Sequence, residues 1–188
     1  MPADYYPKFE KDKFFHVYNH ANGNNNLFYS YSNYSYFLRR FEFYMLDYVD
    51  LYAYVLMPNH FHLLIRIKGN DPEKVSLRFR LFFMSYSKSV NRELGLTGSL
   101  FRKNVKRKWI ETDDYLRKVI LYIHRNPVHH GFAEKPEQYL WSSFEKHLHL
   151  NKSNLQKDFV LSLFGDAENY RFCHKSPIDL EKEFNLEE

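Results

Sequence analysis

The sequence predicts an α+β fold: a ferredoxin-like split βαβ sandwich with an antiparallel sheet, followed by a C-terminal helical segment. Three observations carry this reading. The periodicities along the chain run strand, helix, strand, strand, helix, strand, helix, and the first six match the split βαβ order. A tight Met57-Pro58-Asn59 turn joins the second strand to the third. The 188 residues suit one domain with its own core, and no repeat or low-complexity linker divides them. The expected division is a ferredoxin-like domain over 1–150 and a partly helical extension with an acidic end over 151–188.

Lys13 to Asn19 forms the first expected strand, and the loop His20 to Asn26 is rich in turn residues. Leu38, Phe41 and Met45 stand at helical spacing within a first helix from Asn33 to Tyr48. Val49 to Leu56 is the second strand. His60 to Lys68 returns as the third, since proline cannot donate to a ladder and asparagine tolerates the turn. Gly69-Asn70-Asp71-Pro72 breaks the chain before a long helix from Glu73 to Leu94. Phe101 to Ile110 is a strand or hairpin carrying many cations. Thr112 caps a third helix with Asp113 and Asp114 in its first turn, and Asn126-Pro127 ends that helix at about Arg125. In the split βαβ topology the first and third strands lie side by side at the sheet centre.

Composition narrows the function. Aromatic residues make up 19% of the chain, a high share; they fill cores and also stack on bases, and core packing is expected to take most of them. Cys173 is the single cysteine, which excludes an internal disulfide and a cysteine zinc cage and fits a cytoplasmic setting. No signal-peptide pattern opens the chain, and no apolar run approaches the roughly 20 residues of a membrane span, so no membrane partner is expected. The net charge is +4, but Ile178 to Glu188 carries five acids against Lys182, which leaves +8 on residues 1–177. A basic body suits a phosphate-bearing partner, although charge alone fits an ordinary basic protein equally well.

Two constellations could do chemistry. His60-Phe61-His62 sets two imidazoles two apart on a strand, hence on one face, which makes half of a divalent-metal site. Spacing alone is weak evidence: with 10 histidines, chance supplies such a pair in about every second chain. His147-Leu148-His149 repeats it in a polar setting and is read as surface. Tyr122 and Asn126 stand four apart on the third helix and share a face. A phenol with a pKa near 10 is a weak nucleophile unless a metal polarises the phosphate it attacks, and Asn126 offers a neutral oxygen ligand. Tyr115 and Tyr86 compete with Tyr122 on chemistry alone. A third feature, Arg102, Lys103, Lys106, Arg107 and Lys108, puts five cations and no acid in seven positions. That is a phosphate-binding run or a guarded sheet edge.

At these residues the sequence resembles a known family. Leu56-Met57-Pro58-Asn59-His60-Phe61-His62-Leu63-Leu64 resembles the signature of the single-tyrosine HUH transposases, in which U is a bulky hydrophobic residue. Tyr122-Ile123-His124-Arg125-Asn126-Pro127-Val128, followed by Gly131-Phe132, resembles the second signature of their REP-associated branch. Tyr139-Leu140-Trp141-Ser142-Ser143 is similar to a third. The motifs occur in the family order over roughly residues 14–144. The resemblance implies that His60, His62 and Asn126 hold magnesium or manganese, with Asn126 standing where related enzymes use glutamine. It implies that Tyr122 is the nucleophile and that single-stranded DNA bearing a hairpin is cut and rejoined through a 5′-phosphotyrosine. It leaves open a monomer or a homodimer that swaps catalytic helices. The loop His20 to Asn26 departs from the glycine-rich, basic loop of many relatives, which puts the recognised hairpin in question. The competing readings are a catalytically retired module that binds single-stranded or hairpin nucleic acid and, with little in its favour, a zinc hydrolase.

Overall fold

A computed structural model describes residues 7–69, 71–149 and 151–175. The described elements are β1 (Phe14–His20), α1 (Tyr31–Met45), β2 (Val49–Met57), β3 (His60–Ile67), α2 (Pro72–Leu94), β4 (Lys106–Ile110) and α3 (Asp113–His129). A short 3-10 turn (Pro136–Gln138) and three helices follow: α4 (Phe144–Leu148), α5 (Lys157–Leu163) and α6 (Ala167–Lys175). The sheet order is β2-β3-β1-β4 with every neighbour antiparallel, so β1 and β3 are central. This is the expected ferredoxin-like sheet.

The sheet carries a layer on each face. On one side α1 and α2 bury Phe37, Phe41, Met45, Phe82 and Tyr86 against Val17, Phe61, Leu63 and Ile65. On the other, α3 lays Val119, Ile120 and Ile123 over Val55, Met57 and Leu64, and Phe144, Val160, Phe164 and Tyr170 of the C-terminal helices complete that core. A fully buried side chain of this kind contributes about 1.5–3 kcal/mol. The chain through α6 therefore shares its second core with the sheet.

β2 is buried on both sides along its whole length. A bulge between Leu51 and Ala53 places Tyr52 and Ala53 together on the α3 side, which breaks the strict alternation the sequence suggests. The outer edge of β2 is covered by the third motif. Leu56 N–H donates to the Trp141 carbonyl and Ser143 N–H to the Tyr54 carbonyl. Gln156 N–H donates to the Leu51 carbonyl further along. An edge paired in this way is closed to association.

Three local expectations are corrected. α3 does not stop at Arg125; it runs through Asn126 and Pro127 to His129. Pro127 lies in the last turn and removes the N–H that would meet the Ile123 carbonyl, yet the ladder resumes beyond it with His130 N–H donating to the Asn126 carbonyl. The helix then closes with Gly131 at φ 70° and Phe132 N–H donating to the Pro127 carbonyl. Second, only Lys106 to Ile110 of the cationic run is strand; Phe101 makes an isolated bridge to Ala21, and Asn104 turns at φ 66° between them. Third, His147 is not surface. It is 2% exposed, with its ring nitrogens against the carbonyls of Ser143 and Tyr52, the residue at the bulge. His149 is exposed, as expected.

Candidate active site

The strand pairing decides which side chains share the α3 face. His60 lies opposite His20 and His62 opposite Tyr18, so His16, Tyr18, His20, His60 and His62 alternate onto one surface of β1 and β3. α3 crosses that surface with Tyr122 and Asn126 buried beneath it. All four expected residues are brought together within one chain. His60 Nε2 is 2.9 Å from Asn126 Oδ1, and the Tyr122 ring centroid is 5.3 Å from that of His62.

Residues around the histidines set their tautomers. His60 Nδ1 is 2.8 Å from Asn59 Oδ1, and His62 Nδ1 is 3.0 Å from His16 Nε2. A ring that donates Nδ1–H to such a partner turns the Nε2 lone pair towards the site. Burial, with smaller contributions from His16, His60, His20 and His130, holds His62 well below its ordinary pKa, which keeps it a neutral ligand. Burial and then Lys108 lower His16 to about 3. His16 and Asn59 were missed as functional residues. The available signal was the pattern His16-x-Tyr18-x-His20, which puts a second row of polar rings on the face that carries His60 and His62.

The donor atoms fit a divalent cation. A neutral imidazole has one N–H, yet both nitrogens of His60 face amide oxygens. Protonating the ring, turning the Asn126 amide, or placing a cation between Nε2 and Oδ1 would each resolve this. The neighbouring His62 ring, 5.2 Å away centre to centre, has its Nε2 buried and without a hydrogen bond among the described residues, a second nitrogen in want of a partner. Ligands at about 2.1 Å in octahedral geometry stand about 3 Å apart, close to the separation already present. Among the described residues no group of three or more His, Cys, Asp or Glu could hold a metal, so the set would be two imidazoles and one amide oxygen.

The cationic run divides between the faces. Lys106 and Lys108 lie opposite Tyr18 and His16, on the catalytic side. Arg102 lines the cavity at His60, a space of about 420 Å³ shared with His20, Asn59, His130 and Phe132. Lys103 is exposed in the loop. Arg107 points to the other side of the sheet, its guanidinium 4.5 Å from the centre of the Phe9 ring. No described helix is long and apolar enough to cross a membrane.

No protein-family model matches the chain. A protein of Haemophilus influenzae, provisionally named a REP-associated tyrosine transposase, is 24% identical over 103 residues. The match covers 50% of this chain and 58% of that protein, so the chain spans little more than half of the relative's length. A solved structure of a REP-associated tyrosine transposase bound to a REP hairpin superposes with a TM-score of 0.65 at 20% identity, over 78% of this chain and 85% of that one. The chain thus has the fold of the REP-associated tyrosine transposases, and its resemblance to that family is supported in both sequence and structure.

Proposed function

We propose that this protein is a metal-dependent single-stranded DNA transesterase, a transposase-type endonuclease that cleaves and rejoins DNA through a 5′-phosphotyrosine. The observation that carries the reading is the assembly of Tyr122, His60, His62 and Asn126 on one face, with His60 and Asn126 in contact at 2.9 Å and Tyr122 beside His62. The DNA-bound structural relative, solved with a hairpin, supports hairpin-bearing DNA as the substrate class.

His60, His62 and Asn126 would hold magnesium or manganese, which when bound supplies charge neutralisation on a phosphate oxygen. Tyr122 Oη loses its proton and attacks the phosphorus. The P–O3′ bond breaks, and the departing 3′ oxygen takes up a proton to leave a free hydroxyl. The phosphodiester energy is kept in the tyrosyl ester, so a second 3′-hydroxyl can displace Tyr122 without ATP. Asn59 and His16 keep the ligand rings oriented, and Arg102, Lys106 and Lys108 line the approach of the phosphates.

The test is a covalent-adduct gel with labelled hairpin-bearing single-stranded DNA, manganese or EDTA, and Tyr122→Phe alongside. A metal-dependent shifted band that Tyr122→Phe abolishes is expected. Binding without a band across a broad set of hairpins would make the protein a catalytically retired nucleic-acid-binding module.

A further inference from the structure

We propose that a groove between α2 and the 99–107 segment, on the face of the sheet away from Tyr122, binds the phosphate backbone of the DNA strand that continues out of the catalytic cavity. The inference rests on the strand-transfer reading and assigns to it a second binding site. The groove encloses about 950 Å³, at the large end of the roughly 300–1,000 Å³ range of ligand sites. Phe79, Phe83 and Phe101 back its floor from within the core, at 2%, 8% and 5% exposed, and Met84, 61% exposed, stands on its wall. Arg80, Met84 and Lys88 follow one another at four-residue spacing along α2 and therefore share one helix face. Across from them the groove is bounded by Arg102, Asn104 and Arg107.

The chemistry of this wall is one-sided. Four of its side chains are cationic and none is acidic. Arg80, Lys88 and Arg102 make no ion pair with any described residue, unlike Lys74 of the same helix, which pairs with Asp71 at 2.7 Å. A cationic groove with no acid suits the backbone of single-stranded nucleic acid, whose phosphates meet Arg80, Lys88 and Arg102. An apolar peptide would leave the cations without partners.

Continuity with the catalytic cavity gives the direction. Arg102 lines both spaces, and the neighbouring residues Asn19 and His20 line one each. Arg102 is anchored by its backbone, its N–H donating to the His20 carbonyl and its own carbonyl accepting from Asn19 Nδ2 at 3.2 Å. A strand leaving the His60 cavity therefore meets the groove as it turns around the end of β1.

The experiment measures binding of a fluorescein-labelled oligothymidylate of about 12 nucleotides, a length within single-strand site sizes, to the full chain by anisotropy. The double variant Arg80→Glu/Lys88→Glu changes two exposed residues outside the catalytic site. It should weaken single-strand binding at least about tenfold and lower the salt slope by about 1.4, two phosphate contacts at about 0.7 each. Photocrosslinks from 4-thiothymidine in the same strand should map to α2 between Arg80 and Lys88. Unchanged single-strand affinity, or crosslinks that map away from α2, would overturn the proposal. Because Tyr122 is untouched, adduct formation with affinity unchanged sinks the groove alone. Loss of affinity without any adduct from the wild type sinks the strand-transfer reading alone.

Discussion

His62 shows how little at residue scale separates a core histidine from a metal ligand. Its ring is buried, its Nδ1 meets His16, and its Nε2 has no partner among the described residues. An unpartnered polar atom in a core costs about 1–3 kcal/mol, a cost that metal coordination at Nε2 would offset. Manganese titrated by calorimetry should therefore bind the wild type and fail to bind His62→Ala, while thermal unfolding of the metal-free variant shifts little. Equal manganese affinity in the two would remove His62 from the ligand set. His16→Ala should weaken manganese affinity about 10–100-fold without removing a ligand, because it releases the ring that His16 orients. Metal affinity that is indifferent to His16 would reduce its role to packing.

The turn after α3 carries its own prediction at the scale of elements. Gly131 adopts φ 70°, a backbone conformation that L side chains rarely take, and nothing lies within 4 Å of where a Cβ would stand. Gly131→Ala should accordingly cost about 1 kcal/mol through backbone strain and displace Phe132 from the catalytic cavity. Pro127→Ala restores a donor in a turn that is already helical and should not lower the melting temperature. A large loss there would mean that the proline holds α3 in place. The bulge in β2 works at the same scale: it puts Tyr52 on the α3 side, where its carbonyl meets His147 Nε2 at 2.7 Å. That contact joins the sheet to α4 and makes the His147-Leu148-His149 repeat one buried and one exposed ring rather than a surface pair.

Across the whole molecule, the second core makes stability dependent on pH. Burial lowers His16 and His174 to about 3 and His147 to about 4, although two carbonyl contacts pull His147 the other way. Unfolded, these rings take up protons near pH 6.5; folded, they do so only far below it. The stability they contribute is thus complete above about pH 6.5 and is lost as the pH falls towards the folded values. Each ring is worth about 1.4 kcal/mol per pH unit within that window. Chemical denaturation should show a steep loss of stability from pH 6.5 to pH 5, and a flat profile would mean that these rings are hydrated. Truncation before α5 would uncover α3 by removing Val160, Phe164 and Tyr170, so it should abolish adduct formation together with the cooperative unfolding transition.

By itself the sequence determined the order of elements, the antiparallel hairpin at Met57-Pro58-Asn59 and the pairing of His60 with His62 on one face, because periodicity, turn chemistry and strand alternation are local properties. Tyr122 and Asn126 were placed on one helix face for the same reason. Local rules could not supply the meeting of that face with the histidine face across 60 residues, which depends on how α3 docks on the sheet. Nor could they supply His16 behind His62, a neighbour that only the β1–β3 register creates. The run Arg102, Lys103, Lys106, Arg107 and Lys108 looks like one patch in sequence. In the fold, strand alternation and the turn at Asn104 divide it between a catalytic face and a groove on the opposite face, because the position of a charge is decided by packing at long range.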